Sequence, residues 1–146
     1  MKNIVLFISV AFQLIFSQYQ VGDIVSNLTA TICSNGDGEL NLFDYYGENN
    51  GGENYVILIS IFASWCTPCY EEAPIINSIY EEYNNENFIV IGSGFGWDMP
   101  YNCEGWDEQF ELSFPLIDDD DGNGFPGNFG SPFFNNIIVP YNIIID

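Results

Sequence analysis

The chain has 146 residues, and a hydrophobic content of 47% is enough for the core of one domain. Its 13 Phe, 9 Tyr and 3 Trp exclude a disordered protein. The formal net charge is −20, from 21 acidic residues, no His and one base, Lys2, which argues against nucleic acid, anionic membrane surfaces and phosphate-bearing cofactors as partners.

The N-terminus has the pattern of a Sec-type export signal. Lys2 is the positively charged residue of the n-region, and residues 4–16 are the apolar stretch. Ser17 is a small residue of the kind that precedes a cleavage site. Residues 1–17 are therefore predicted to be a signal peptide, and residues 18–146 a mature protein in the periplasm or outside the cell. The apolar stretch is shorter than the roughly 20 residues that span a bilayer, so an uncleaved membrane anchor is the less favoured alternative.

The segment before the central apolar run carries one cysteine. Residues 28–32 are predicted to form a strand, and residues 36–38 (Gly-Asp-Gly) a turn. Cys33 lies between them, and Cys103 is the other cysteine without a close neighbour in sequence. In an oxidising compartment these two are predicted to form a structural disulfide. Free buried thiols and a second redox relay are the alternatives that the sequence leaves open.

Two cysteines, two residues apart, follow the central apolar run. Residues 55–62 are almost continuously apolar, which predicts a strand buried on both faces. Cys66 and Cys69 then fall at the start of a helix predicted over residues 66–83, where their spacing places both sulfurs on the first turn. The helix dipole and the first-turn amides favour the thiolate of Cys66. Cys66 is therefore expected to be the exposed attacker and Cys69 the buried resolver.

Structural zinc sites use the same cysteine spacing, but they need a second pair of ligands. The chain has no His, and Cys33 and Cys103 lie far from each other in sequence. The sequence therefore predicts no metal site at this motif.

The helix over residues 66–83 and the segment after it complete a βαβ unit. Apolar residues recur every four positions, so one stripe of the helix is expected to face the sheet. Pro74 is expected to kink the helix. Asn84 and Asn85 are expected to end it, because asparagine tolerates the left-handed conformation after a helix. Residues 88–93 are then predicted to form a parallel strand, reached by a right-handed crossover.

Residues 65–74, Trp-Cys-Thr-Pro-Cys-Tyr-Glu-Glu-Ala-Pro, resemble the active-site helix of the TlpA/ResA-like thiol-disulfide oxidoreductases of the thioredoxin superfamily. The resemblance covers about residues 21–146. It implies an α/β, thioredoxin-like fold for residues 18–146, with a central mixed sheet flanked by helices. It also implies a redox-active Cys66–Cys69 disulfide that needs no further cofactor.

The resemblance implies roles for further residues. Glu72 falls where the family has a glutamate three residues after the second cysteine, which implies a proton relay for Cys69, whereas position alone favours an ordinary surface residue. Val139-Pro140 resembles the family's cis-proline loop, which offers backbone groups to a substrate polypeptide; a trans proline at a strand start is the alternative. The substrate-binding residues implied in this way are Trp65, Thr67, Pro68, Val139 and Pro140.

The C-terminal part carries fewer signals. Residues 103–112 are predicted to form a short helix and residues 141–145 the last strand, with Pro140 at a position that a strand permits. The family pattern continues after this strand with another strand and a closing helix, whereas this sequence stops at Asp146. The domain is therefore expected to be truncated at its C-terminus.

An acidic segment over residues 118–124 partly fits a calcium-binding loop. Asp119, Asp121, Asn123 and Gly124 match positions 1, 3, 5 and 6 of such a loop. Position 12 is Gly130, however, so the bidentate carboxylate is missing. A flexible acidic turn is the prediction, with a calcium site as the alternative.

The charge of the chain also bears on the chemistry of the cysteine pair. A helix start stabilises a thiolate by about 0.3 to 1 kcal/mol, and by up to ~2 kcal/mol when it is partly buried. One carboxylate about 8 Å away, at an effective dielectric of about 20, opposes it by roughly 2 kcal/mol before salt screening. Glu71 and Glu72 are both candidates for that carboxylate. A poorly stabilised thiolate goes with a more reducing couple.

The favoured function is therefore an exported reductase of protein disulfides, with thiol or disulfide proteins as substrates and an unidentified protein as electron donor. One alternative is a disulfide oxidase or isomerase of the same fold. Another is a non-catalytic, calcium-stabilised binding module with a structural Cys66–Cys69 bridge. A peroxiredoxin is excluded, because those enzymes activate their cysteine with an arginine and this sequence has none.

Overall fold

The computed structural model of the protein describes residues 18–133 and 138–146. The predicted signal peptide, residues 1–17, lies outside the described residues. Within the described part, no helix is both long enough and apolar enough to cross a membrane.

In the residues that the structure describes, six strands form one mixed sheet with the order β2-β1-β5-β4-β3-β6. The strands are β1 (Thr29–Ser34), β2 (Glu39–Asn41), β3 (Val56–Ala63), β4 (Phe88–Phe95), β5 (Leu116–Asp118) and β6 (Tyr141–Ile145). Strand β4 is parallel to β3 and to β5, and the other neighbouring strands are antiparallel. The helices are α1 (Thr67–Tyr83) and α2 (Cys103–Phe110), with short 3-10 turns at Leu42–Tyr45 and Ser131–Phe133.

Strand β3 lies at the centre of the core. All of its residues from Ile57 to Ala63 are buried, because β4 and β6 pair with its two edges and side chains cover both of its faces. On the face that carries α1 and α2, Phe62 stacks on Trp106 of α2 with ring centroids 4.4 Å apart. Trp106 is only 1% exposed, so this stack anchors α2 against the strand that leads into the cysteine motif.

Several predicted element bounds shift in the structure. The first strand runs over Thr29–Ser34 rather than 28–32, because β1 continues through a bulge to pair with β5. Strand β4 extends to Phe95 because its last residues pair with the end of β3. Helix α2 stops at Phe110, since Glu111 adopts a left-handed conformation with φ of 51°.

The prediction for the end of α1 was right about its place and wrong about its cause. The helix continues through Pro74 and ends at Tyr83, with Asn84 as the capping residue. Asn84 is right-handed, with φ of −60°, and its backbone N–H donates to Tyr80 O. The left-handed residue is Asn87, with φ of 51°, directly before β4. The left-handed conformation therefore occurs at Asn87, where the chain turns into β4.

Helix α2 is fastened to β1 by a covalent bond and by hydrogen bonds. Cys33 and Cys103 form a disulfide with a Cα–Cα distance of 6.1 Å, and both residues are half-buried. Asp107 of α2 accepts hydrogen bonds from Ser34 Oγ at 2.6 Å and from Asn35 Nδ2 at 3.0 Å. Together, these contacts support a structural role for the Cys33–Cys103 disulfide in holding α2 against β1.

The acidic segment after β5 turns one of its carboxylates into the protein. Asp119, which would be position 1 of a calcium loop, is only 4% exposed. It accepts hydrogen bonds from the backbone N–H groups of Phe129 and Gly130 and from Ser93 Oγ, at 3.0, 2.7 and 3.0 Å. Burial raises the pKa of Asp119, although these three hydrogen bonds oppose the rise. Among the described residues, no three His, Cys, Asp or Glu side chains are grouped so as to hold a metal ion.

We expect removal of the Cys33–Cys103 disulfide to destabilise the protein more than removal of the Cys66–Cys69 disulfide. On the chain-entropy model, the first closes a loop worth about 4 kcal/mol and the second a loop worth about 2 kcal/mol. Denaturant unfolding of Cys33→Ser/Cys103→Ser, with Cys66→Ser/Cys69→Ser as the matched control, measures both losses. Equal losses would argue against a structural role for the longer link.

Asp119 should make the folded protein relatively more stable as the pH falls. Because its pKa is raised in the folded state, the folded protein binds the proton at a higher pH than the unfolded chain does. The cost of burying the charged form is therefore present above the folded pKa, and it is relieved as the pH falls through that value toward 3.8, the ordinary value. We expect the free energy of unfolding of the wild type to increase relative to that of Asp119→Asn as the pH falls. Denaturant titrations of both proteins near neutral pH and near the ordinary value measure this, and an unchanged difference would contradict it.

Candidate redox site

The cysteine motif begins where β3 ends. After Ala63 the chain turns through two residues, and the backbone N–H of Cys66 donates to Ala63 O at 3.0 Å. Cys66 is the N-cap of α1, and its Sγ accepts a hydrogen bond from the backbone N–H of Cys69 at 3.2 Å. The two cysteines form a disulfide with a Cα–Cα distance of 5.3 Å. The helix start thus directs a first-turn amide at the sulfur of Cys66.

The expected difference in exposure between the two cysteines is not found. Cys66 is 3% exposed and Cys69 is 2% exposed, so the prediction of an exposed Cys66 is wrong for this disulfide form. The reason is that Cys66 lies at the cap position and its Sγ turns back over the first turn, where it meets the N–H of Cys69.

Ser64 and Tyr70 hold the turn between β3 and α1. Ser64 is fully buried, and its Oγ donates to Gly96 O at 2.8 Å and accepts from the backbone N–H of Met99 at 3.3 Å. The Tyr70 hydroxyl donates to Ser64 O at 2.8 Å from the first turns of α1. The turn is therefore tied both to the loop after β4 and to its own helix.

Trp65 lies over the end of β4 at the protein surface. Its side chain is 46% exposed, and its ring meets Phe95 edge to face with centroids 6.4 Å apart. A Cβ at Gly96 would be 2.6 Å from Trp65 Nε1, and Gly96 has a φ of +64°. Only glycine fits there, because the indole packs directly on the backbone and the conformation is left-handed.

Glu72 is half-buried on α1, one turn after Cys69. Its Oε1 accepts a hydrogen bond of 2.9 Å from Asn142 Nδ2 of β6. Glu72 and Cys69 also line the same small cavity between α1 and the sheet, and Ser60 of β3 lies on its wall. The cavity has room for about one water molecule.

The remaining predicted substrate-binding residues lie at the same end of the sheet. Thr67 and Pro68 are exposed at the first turn of α1. The Val139–Pro140 peptide is cis, and it directly precedes β6. Tyr141 pairs with Ile61 near the C-terminal end of β3. This loop therefore lies at the same end of the sheet as the cysteine motif, which follows β3.

Sequence reasoning missed Ser64, Gly96 and Asn142. Ser64 had a weak signal, as a polar residue between an apolar strand and a cysteine motif. Gly96 had none beyond its place after an apolar run. Asn142 is 70 residues from Glu72 in sequence, so only the pairing of β6 with β3 brings the two together.

Comparisons with known proteins agree with this geometry. The thiol-disulfide oxidoreductase ResA of Geobacillus thermodenitrificans is 28% identical over 81 residues, which cover 56% of this chain and 42% of that protein. The matched segment thus spans less than half the length of this relative. A provisionally named protein disulfide isomerase of Bacteroides thetaiotaomicron superposes with a TM-score of 0.66 at 21% identity, over 87% of this chain and 72% of that chain.

A further structural neighbour is a secreted disulfide oxidoreductase of Mycobacterium tuberculosis. It has a TM-score of 0.51 at 18% identity, over 66% of this chain and 63% of that chain. These structures confirm the predicted thioredoxin-like fold, and the ResA match supports the resemblance to TlpA/ResA-like oxidoreductases. The model of the AhpC/TSA family matches residues 21–146, which is most of the sequence. The chain therefore belongs to the AhpC/TSA family.

Proposed function

We propose that this protein is an exported thiol-disulfide oxidoreductase that reduces disulfides in other proteins through Cys66 and Cys69. The observation that carries the proposal is the disulfide at the start of α1, with the N–H of Cys69 directed at Cys66 Sγ from 3.2 Å. The same amide can donate to a Cys66 thiolate once the pair is reduced, and the thiolate is the species that attacks a disulfide.

The reaction starts from the reduced pair. The Cys66 thiolate attacks one sulfur of a substrate disulfide, a mixed disulfide with the substrate forms, and the other substrate sulfur leaves as a thiolate. Cys69 then loses its proton to Glu72, and its thiolate attacks Cys66 Sγ. The Cys66–Cys69 bond forms, the second substrate sulfur leaves, and two electrons have passed to the substrate. A reduced partner protein must return two electrons before the next cycle.

The reducing direction is supported by the charges around the pair. Lys2, the only base of the sequence, lies outside the described residues, so no cationic side chain in the described part is available to hold a thiolate. The helix start is then the main stabilising element for Cys66, and the nearby carboxylates Glu71 and Glu72 oppose it. A less stable thiolate makes the dithiol a better reductant.

Substrate polypeptides are proposed to bind across the surface beside the disulfide. The Val139–Pro140 loop directly precedes β6 at the edge of the sheet, and Thr67 and Pro68 are exposed at the helix start. Trp65 offers an exposed indole that is held in place by Gly96. All of these groups are uncharged, so recognition would rest on backbone hydrogen bonds and apolar contact.

Export is proposed from the leader pattern of residues 1–17 and from the Cys33–Cys103 disulfide, which an oxidising compartment preserves. The secreted disulfide oxidoreductase of Mycobacterium tuberculosis, which shares the fold, is consistent with such a location.

Replacing Cys69 with Ser should trap substrates on Cys66. Without the resolving thiol, the mixed disulfide persists, and adducts are expected to appear as thiol-sensitive bands on non-reducing gels of the exported fraction. Cys66→Ser is the matched control and should form far fewer adducts, because the first-turn N–H that can stabilise a thiolate is directed at Cys66 Sγ. Equal adduct yields for the two variants would contradict the assigned roles.

A redox titration should place the Cys66–Cys69 couple at a reducing potential. We expect a midpoint near or below about −250 mV, because the thiolate of Cys66 lacks cationic support. Counting alkylated thiols by intact mass across a series of dithiol buffers measures it. A midpoint between about −180 and −120 mV would instead indicate an oxidase or isomerase. A pair that does not titrate reversibly would indicate a structural bridge.

A further inference from the structure

We propose that Asn142 is a positioning residue for the resolution step, because it holds the Glu72 carboxylate beside the cavity that Cys69 lines. This inference rests on the proposed function and adds to it a residue that neither the cysteine motif nor the cis-proline dipeptide contains.

The geometry of the contact is set by the sheet. Asn142 lies directly opposite Ser60 in the antiparallel pairing of β6 with β3. Directly opposed residues project from the same face of a sheet, so both side chains leave on the side covered by α1. There Asn142 Nδ2 reaches Glu72 Oε1 at 2.9 Å, while Ser60, Glu72 and Cys69 share the walls of one cavity.

Without a partner, the Glu72 side chain would be free to turn toward solvent. A glutamate has several rotatable bonds, and Glu72 is only half-buried. The hydrogen bond to one carboxylate oxygen fixes the group over the cavity. The other oxygen keeps its lone pairs, so it can accept the proton of the Cys69 thiol, directly or through a water molecule in the cavity.

An amide suits this task better than a cation would. A lysine or arginine at residue 142 would also hold the carboxylate, but its positive charge would make the carboxylate a weaker base. A neutral donor orients the group with less loss of basicity. Because the side chain comes from β6, the strand that begins at the cis peptide, the base is also held in a fixed place relative to the proposed substrate-binding loop.

The test separates the two chemical steps. The full chain, reduced only at Cys66 and Cys69 as checked by alkylation and intact mass, is mixed with dithiodipyridine in a stopped-flow instrument. This probe is an uncharged disulfide, so the negative charge of the protein does not repel it. Attack by Cys66 releases the first equivalent of thiopyridone, and resolution by Cys69 releases the second.

Asn142→Leu should slow the second phase by about threefold to tenfold and leave the first phase unchanged, since one solvent-exposed hydrogen bond is lost. Asn142→Gln keeps an amide donor and should be slowed less. The defect of Asn142→Leu should shrink at alkaline pH, where a thiol ionises in water without a base. Ile144→Ala is the control, because Ile144 lies on the same face of β6 and is 69% exposed, and both phases should match the wild type.

A double-mutant cycle shows whether Asn142 acts through Glu72. In the Glu72→Gln background, Asn142→Leu should cause little further slowing of the second phase. The inference is overturned if Asn142→Leu resolves as fast as the wild type, if it slows resolution equally in the Glu72→Gln background, or if Glu72→Gln alone has no effect. A wild-type protein that releases no second equivalent would overturn the proposed function itself, and this inference with it.

Discussion

The position of β3 between β4 and β6 is the constraint on which the rest of the site depends. Parallel pairing with β4 brings Ala63 level with Phe95, so the turn that carries Trp65 lands on the loop that starts at Gly96. Antiparallel pairing with β6 places the start of that strand beside the end of β3. One strand register therefore brings the cysteine motif, the cis peptide and Asn142 to the same end of the sheet. A slip by one residue would turn Asn142 to the other face and separate it from Glu72.

A chain with so many acidic groups and almost no bases must satisfy its carboxylates without ion pairs. In the acidic segment after β5, backbone and side-chain donors do this. Asp119 accepts from two backbone N–H groups and a hydroxyl, and Asp120 accepts from the N–H of Gly96 at 2.6 Å. Backbone hydrogen bonds from Asn123 and Phe125 lower the pKa of Asp121. The carboxylates of the acidic segment thus stabilise the conformation of their own loop. Asp120 also fixes the backbone of Gly96, on which Trp65 packs.

The elements with a strong local signal could be predicted from the sequence. The apolar run of β3 and the start of α1 were placed within a residue, because continuous burial and a helix start leave a pattern in neighbouring residues. The ends of β1 and α2 could not be placed so well, since they depend on pairing with β5 and on the left-handed conformation of Glu111. The predicted exposure of Cys66 was wrong because exposure at the N-cap of α1 depends on the side-chain rotamer, which the sequence does not show. The contact of Asn142 with Glu72 was invisible for a simpler reason: it exists only after two distant segments pair.

A carboxylate near the disulfide has two opposing effects on the proposed reaction, and their balance depends on where Glu72 lies on α1. A base is needed near Cys69, yet negative charge near Cys66 opposes the thiolate that starts the reaction. Glu72 lines the same cavity as Cys69, and Cys66 is not among the residues that line it. Because the Coulomb energy falls with the inverse of distance, a carboxylate on the Cys69 side of the disulfide acts more strongly on Cys69 than on Cys66. In the proposed mechanism, the hydrogen bond from Asn142 holds the carboxylate toward β6, so that Glu72 assists Cys69 more than it opposes the thiolate of Cys66.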